Sequence, residues 1–131
     1  MKAYSLINHK LTENQMKELK EVFGADEIVY PDEDLVKLWA QISTERQLDY
    51  AVIDKVVEWL ENSTEGDVVV VQGEFGCTFC IVDFALKRGL VPVHAVTKRV
   101  EEETAEGEVV TKKYVFMHCC FRKYEYYEGK K

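Results

Sequence analysis

The chain of 131 residues predicts an α/β fold, a mostly parallel sheet between helices with an antiparallel hairpin at its carboxyl end. Three observations carry this expectation. Short β-rich runs alternate with helical periodicity as far as residue 96, the pattern of a parallel sheet with crossover helices. "VVVVQ" at 68–72 is an unbroken β-branched run, as in a strand covered on both faces. Beyond it, "TKRVEEETAEGEVVTKKYVFMHCCFRKYEYY" reads as two long arms folding back near "AEGE".

In order along the chain, "AYSLI" (3–7) is a short buried strand. Thr12 with Gln15 three residues on forms a capping box, opening a helix from Glu13 to Phe23. Met16, Leu19, Lys20 and Phe23 fall near one face of it, and Gly24 ends it. "EIVY" (27–30) is a second strand, cut off by Pro31. "PDEDLVKLWAQI" starts a helix with acids at its amino end, where the dipole favours them. "LDYAVIDKVVEWLEN" is a longer amphipathic helix with Tyr50, Ile53, Val57 and Leu60 in register. After the 68–72 strand and "GEFG", a helix runs from Cys77 to Lys87 and stops at Gly89. "LVPVHAV" (90–96) is the last parallel strand. Glu101 to Glu103 sit on a solvated hairpin arm, and "EGKK" (128–131) frays. The length suits a single domain, 1–131.

Composition narrows the function classes. With 47% hydrophobic and 31% charged residues the chain reads as a soluble globular protein. No run reaches the roughly 18 apolar residues of a membrane span. "MKAYSLINHK" does not have the pattern of a secretory signal, so a cytoplasmic location and no membrane partner are expected. A net charge of −7 opposes binding to long nucleic acid, which needs a broad basic face, yet permits a small anionic ligand in one cationic pocket.

Ligands of open parallel sheets sit beyond the carboxyl ends of the strands. That rule selects Asn8, His9 and Lys10 after the first strand, Gln72, Gly73, Glu74, Phe75 and Gly76 after the valine strand, and Thr97, Lys98 and Arg99 after the last parallel strand. Together they supply three cations, a histidine and a glycine-bearing loop opening a helix, whose free amides near Cys77 and Thr78 suit phosphate. The spacing is neither that of a P-loop nor that of a dinucleotide fingerprint. A tight strand-to-helix turn without a ligand is the plainer reading of the loop, and solvated charge that of Lys98 and Arg99. Alternation puts these two on opposite faces. His9 has the pKa range for assisting a leaving group. His94 and His118 are expected to pack or hydrogen-bond.

Cys77 and Cys80 stand where a thioredoxin-like pair would, after a strand and at a helix start. The apolar run "IVDFAL" and the nearby Glu74, which opposes a thiolate, favour a core role instead. Cys119 and Cys120, adjacent on a strand, point to opposite faces and do not readily share a metal. No metal and no cofactor are expected.

The combination of "NHKLTENQMKEL", "VVVVQGEFGCTFCIVDFALKRGLVPVHAVTKR" and "YVFMHCCFRKY" resembles the small CRISPR-associated proteins of the Csx type from type III systems, similar to stand-alone ring nucleases. The resemblance runs over almost the whole chain and is most specific in "VQGEFG" and "TKR". It implies a Rossmann-like three-layer sandwich related to the CARF nucleotide-sensing domains, a symmetric homodimer, and a cyclic oligoadenylate ligand, typically cyclic tetra-adenylate. It further implies metal-independent cleavage by attack of a ribose 2′-hydroxyl, ending the antiviral signal. The implied site is Lys98, Arg99 and His9 for catalysis, with Asn8, Lys10, Gln72, Gly73, Glu74, Phe75, Gly76 and Thr97 for binding; the helix amino terminus adds Thr78 as a binding residue. A non-cleaving binder of the same ligand and a thiol oxidoreductase remain the alternatives.

Overall fold

A computed structural model describes residues 1–129; the expected fraying of Lys130 and Lys131 lies outside the described residues. The order of elements is β1 (Lys2–Leu6), α1 (Glu13–Glu21), β2 (Glu27–Val29), α2 (Glu33–Ala40), α3 (Tyr50–Trp59), β3 (Val68–Val71), α4 (Phe75–Lys87), β4 (Val91–Glu106) and β5 (Val109–Lys123). One five-stranded sheet has the order β2-β1-β3-β4-β5. Its first three pairings are parallel and the last, β4 with β5, is antiparallel.

β3 is the axis of the sheet. All four of its valines are buried, and they alternate between two apolar clusters. Val68 and Val70 join Leu19 of α1 on one face. Val69 and Val71 meet Trp39 of α2, Val56 of α3 and Ile81 of α4 on the other. A β-branched residue fits both faces of a pleated strand, and burying each such side chain contributes about 1.5–3 kcal/mol.

The local signals operate as the chain chemistry requires. Thr12 Oγ1 accepts from Gln15 N, and Gln15 Oε1 accepts from Thr12 N, so the capping box is complete. Asp32 and Asp49 cap α2 and α3. Gly24 and Gly89 take positive φ after α1 and α4.

Some expectations are corrected. Gln15, not Lys20, is buried on α1, because its amide serves the cap and then meets β5. On α3 the buried residues are Val52, Ile53 and Val56, while Tyr50 is exposed. That helix ends at Trp59 in a 3-10 turn, Leu60–Asn62, which carries Leu60 inward. β4 does not stop at Val96. It runs on to Glu106, because β5 supplies an antiparallel partner from Lys123 to Val109, with one register shift at Val96/Thr97, after β3 has ended. The reversal is a two-residue turn with Gly107 at φ 61°, where glycine meets no steric penalty.

At the amino ends of the strands, Asp67 ties the sheet together. One carboxylate oxygen accepts from Lys2 N at 3.0 Å and the other from Thr64 N at 2.9 Å and Thr64 Oγ1 at 3.3 Å. Burial pushes this carboxyl up, but the three donors outweigh it and hold the group below the ordinary 3.8. Its stabilisation is therefore fully present above the unfolded-state value and is lost as pH falls through the lower, folded one. Asp67→Ala should cost about 2–3 kcal/mol in urea unfolding at pH 7, and it should flatten the loss of stability that the parent shows on acidification below about pH 4.

Candidate functional site

The carboxyl end of β1 leads into a cavity of about 560 Å³ lined by Ser5, Ile7, Asn8, His9, Lys10 and Leu11, by Met16 of α1, by Tyr30 and Pro31 after β2, and by Val36 of α2. Its volume falls in the range of small-molecule sites. The Tyr30 hydroxyl donates to Met16 Sδ at 3.7 Å. Asn8, His9 and Lys10 give it a polar edge, and Ile7, Leu11, Met16, Pro31 and Val36 an apolar lining. His9 and Lys10 are exposed. His9 Nδ1 lies 3.0 Å from the Lys10 carbonyl oxygen, so Nδ1–H donates there and Nε2 is the nitrogen left for a ligand.

Of the three predicted segments, the first lies in this cavity. Sequence reasoning missed Tyr30 and Pro31, although the carboxyl-end rule applied to the short β2 would have found them.

The second segment, Gln72 to Gly76, is adjacent but structurally engaged. Gln72 N donates to Leu6 O at 3.1 Å, Trp39 Nε1 donates to Gln72 O at 2.9 Å, and Ala95 N donates to the Gln72 side-chain oxygen. The amide side chain thus serves β4 where β3 has ended. A Cβ on Gly73 would lie 2.7 Å from the Trp39 ring, and one on Gly76 would lie 2.6 Å from Leu48 Cδ2. These glycines admit neighbouring side chains. The topological crevice between β1 and β3 is occupied by this packing, and the open space lies one strand over, toward β2.

The expected free amides of α4 are also corrected. The helix begins at Phe75, two residues earlier than anticipated, and Glu74 Oε1 accepts from Gly76 N and Cys77 N. A tethered carboxylate already satisfies the donors that phosphate would seek. Phe75, at this same edge, is 93% exposed, an aromatic face open to stacking. The Thr78 hydroxyl is buried and has no hydrogen-bond partner among the described residues.

The third segment stands apart. Thr97, Lys98 and Arg99 lie inside β4, opposite His118, Met117 and Phe116, and not in a loop after it. Lys98 and Arg99 are exposed on opposite faces, and the Arg99 guanidinium lies 4.5 Å over the Tyr114 ring. None of the three lines the cavity.

His118 is a packed, hydrogen-bonded residue. Its Nε2 donates to Glu18 Oε1 at 2.7 Å, and its Nδ1 accepts from Gln15 Nε2 at 3.3 Å. Glu18 Oε2 accepts from Phe121 N at 2.7 Å. His94 rests against Tyr124, ring centroids 4.7 Å apart.

All four cysteines are free thiols. Cys77 is fully buried, and burial, then Glu74, pushes its thiol up. That is the opposite of the lowered pKa a redox thiol needs. Cys119 falls at a register shift in the β4–β5 pairing, since Val96 faces Cys120 and Thr97 faces His118. Among the described residues no three His, Cys, Asp or Glu side chains form a metal-binding group, and no helix is long and apolar enough to cross a membrane.

Comparisons with known proteins place the chain in a family. The profile described as the Uncharacterized protein MJ1673 family matches residues 1–122. The Methanocaldococcus jannaschii protein described as "Uncharacterized protein MJ1673" is 33% identical over 128 residues, covering 96% of this chain and 98% of its own length. No solved structure matches the chain significantly. The chain belongs to the MJ1673 family.

Native-state alkylation should label Cys119 and Cys120 rapidly and leave Cys77 unmodified until the protein unfolds; rapid labelling of Cys77 would contradict its place in the core. Thr78→Val keeps the shape and removes an unsatisfied hydroxyl, so the unfolding free energy from urea titration should stay level or rise, by up to about 1 kcal/mol.

Proposed function

We propose that this member of the MJ1673 family binds a cyclic oligoadenylate at the β1 carboxyl-end cavity and opens the ring by metal-independent attack of a ribose 2′-hydroxyl. The observation that carries the reading is the cavity itself: apolar walls for a base, with Asn8, His9 and Lys10 beside them on one loop. The Rossmann-like three-layer arrangement belongs to the same proposal and is supported by the apolar clusters on the two faces of the sheet, one built with α1 and the other with α2, α3 and α4.

The chemistry asks little of the protein beyond positioning and charge. The substrate's 2′-oxygen bonds to the adjacent phosphorus, the bond from phosphorus to the 5′-oxygen breaks, and the 2′-proton leaves as the 5′-oxygen gains one. The products are a 2′,3′-cyclic phosphate and a 5′-hydroxyl. Holding the 2′-oxygen in line contributes several kcal/mol. Lys10 is the cavity's cation for charge gathering on phosphoryl oxygens. His9 Nε2, free while Nδ1 serves the Lys10 carbonyl, takes a proton from solvent and hands it to the leaving 5′-oxygen, while the 2′-proton passes to water.

The cavity suits one or two nucleotides of a larger ring. The remainder extends along the carboxyl edge, where Phe75 offers a stacking surface and, further out on β4, Lys98 and Arg99 offer charge. Alternation puts these two on opposite faces and Arg99 is laid over Tyr114, so Lys98 is the one that acts on binding outside the cavity, and the Gln72 to Gly76 turn acts through its shape.

Incubating the purified protein with cyclic tetra-adenylate in EDTA, with products resolved by chromatography, tests the reading. Linear adenylates ending in 2′,3′-cyclic phosphate are expected. Intact ring retained on the protein would instead favour a binder, and no interaction would end the proposal. His9→Ala should lose roughly 100-fold in kcat, Lys10→Ala at least tenfold in kcat/KM, and Lys98→Ala should act on KM more than on kcat.

A further inference from the structure

Beyond Val93, β4 has no strand neighbour except β5, so the stretch from Thr97 to Glu106 and its partner strand form a two-stranded ribbon. The root of the ribbon carries a β-bulge. Val96 pairs with Cys120 and Thr97 with His118, which leaves Cys119 as one extra residue on β5. Strand alternation alone sends Cys119 and Cys120 to opposite faces, and the bulge overturns that expectation. His118 and Phe121 both face α1. The imidazole bonds Gln15 and Glu18, Phe121 packs with Leu19 and Phe23, and the two rings stand 4.7 Å apart, centroid to centroid. A side chain from the residue between them would be wedged under α1, yet Cys119 is exposed, as is Cys120. The two thiols therefore lie together on the other face, on consecutive residues.

That face holds a third sulfur. Met117 precedes His118 and so turns away from α1, and its side chain is exposed. Cα atoms two apart on a strand are separated by about 7 Å, a gap that a long thioether side chain can close. Cys119 Sγ already lies 3.8 Å from the Met117 carbonyl oxygen. The charge around the three sulfurs is positive. Lys98 faces Met117 across the ladder, and Arg122 follows Cys120 by two residues on the same face. Neither "HAVTKRV" (94–100) on β4 nor "VFMHCCFR" (115–122) on β5 contains an Asp or Glu.

We propose that Met117, Cys119 and Cys120 form a surface site for monovalent copper, held by two thiolates and a thioether. The donors choose the ion. Soft thiolate and thioether sulfurs select Cu(I), whereas a closed zinc site takes four ligands, and among the described residues no three His, Cys, Asp or Glu side chains gather. A disulfide between the two thiols is the competing fate. Adjacent Cα atoms stand about 3.8 Å apart, closer than the roughly 4.4 Å at which ordinary disulfides begin, so an S–S bond would strain the chain. A metal ion between the sulfurs lengthens the bridge, at about 2.3 Å for each metal–sulfur bond. Each thiol gives its proton to water as its bond to copper forms, and no electron is transferred. Two thiolates outweigh one cuprous charge, and Lys98 and Arg122 offset the excess.

The proposal stands on β5 and not on the cavity, so it is tested without nucleotide. In an anaerobic titration the reduced full chain should withdraw one Cu(I) per chain from its bicinchoninate complex. Cys119→Ser and Cys120→Ser should each weaken that binding by more than about 100-fold, and Met117→Leu by roughly tenfold, as losing a ligand costs at least what losing an outer partner does. Cys80→Ser, on α4, should leave it unchanged. Two readouts on the parent protein need no variant. Bound copper should protect Cys119 and Cys120 from iodoacetamide while Cys80 labels at its usual rate, followed by peptide mass spectrometry. X-ray absorption at the copper edge should show sulfur neighbours only. A parent that withdraws no copper, a variant of any of the three sulfurs that binds as tightly as the parent, loss of binding in Cys80→Ser, unprotected thiols, or a nitrogen or oxygen neighbour would each overturn the proposal.

Discussion

The double burial of β3 governs the rest of the structure. A strand of four valines with no solvent on either side must have a strand on each edge and helices on each face, since any face left open would expose about 1.5–3 kcal/mol of apolar side chain per residue. β1 and β4 take its two edges, α1 one face, and α2, α3 and α4 the other. The carboxyl ends of β1 and β3 are thereby brought side by side, and Gln72 N reaches Leu6 O. Both the cavity and the ribbon follow from what happens just past that point, where β1 turns into a loop, β3 into α4, and β4 continues alone with β5.

The crevice beside β3 illustrates how packing can use up a binding location. The Trp39 ring sits where Gly73 has no side chain and donates to the Gln72 carbonyl. Leu48 occupies the corresponding space at Gly76, and Glu74 closes the helix amides. Every feature of "QGEFG" that invites a phosphate is also what a tight strand-to-helix turn needs. The space that remains open lies by β2, where the strand is short and Pro31 turns the chain away.

Much of this architecture was legible in the sequence because the signals were local. The Thr12–Gln15 box, the valine run, the glycine stops and the turn near Gly107 each rest on a few neighbouring residues. The cavity's polar side was also legible, since Asn8, His9 and Lys10 directly follow a strand. What stayed hidden depended on partners distant in sequence. The composition of Thr97, Lys98 and Arg99 reads as a strand end, and only the facing residues of β5 carry β4 onward. Nothing local shows that Glu74 folds onto its own helix, or that Tyr30 and Val36 come to face His9. On α3 the buried stripe is Val52, Ile53, Val56 and Leu60, with Tyr50 outside it; this stripe and the one through Tyr50 and Val57 both have helical spacing, and the choice between them is made by the sheet that α3 packs on.

The Gln15 side chain joins two parts of the molecule that the sequence keeps 103 positions apart. Because its oxygen is held by Thr12 N, its NH₂ has to face His118, which leaves the imidazole only one way to carry its proton, on Nε2 toward Glu18. The tautomer of a histidine at the root of the ribbon is thus dictated by the first turn of a helix. Whatever loosens that turn also releases the imidazole that Glu18 holds where β5 meets α1.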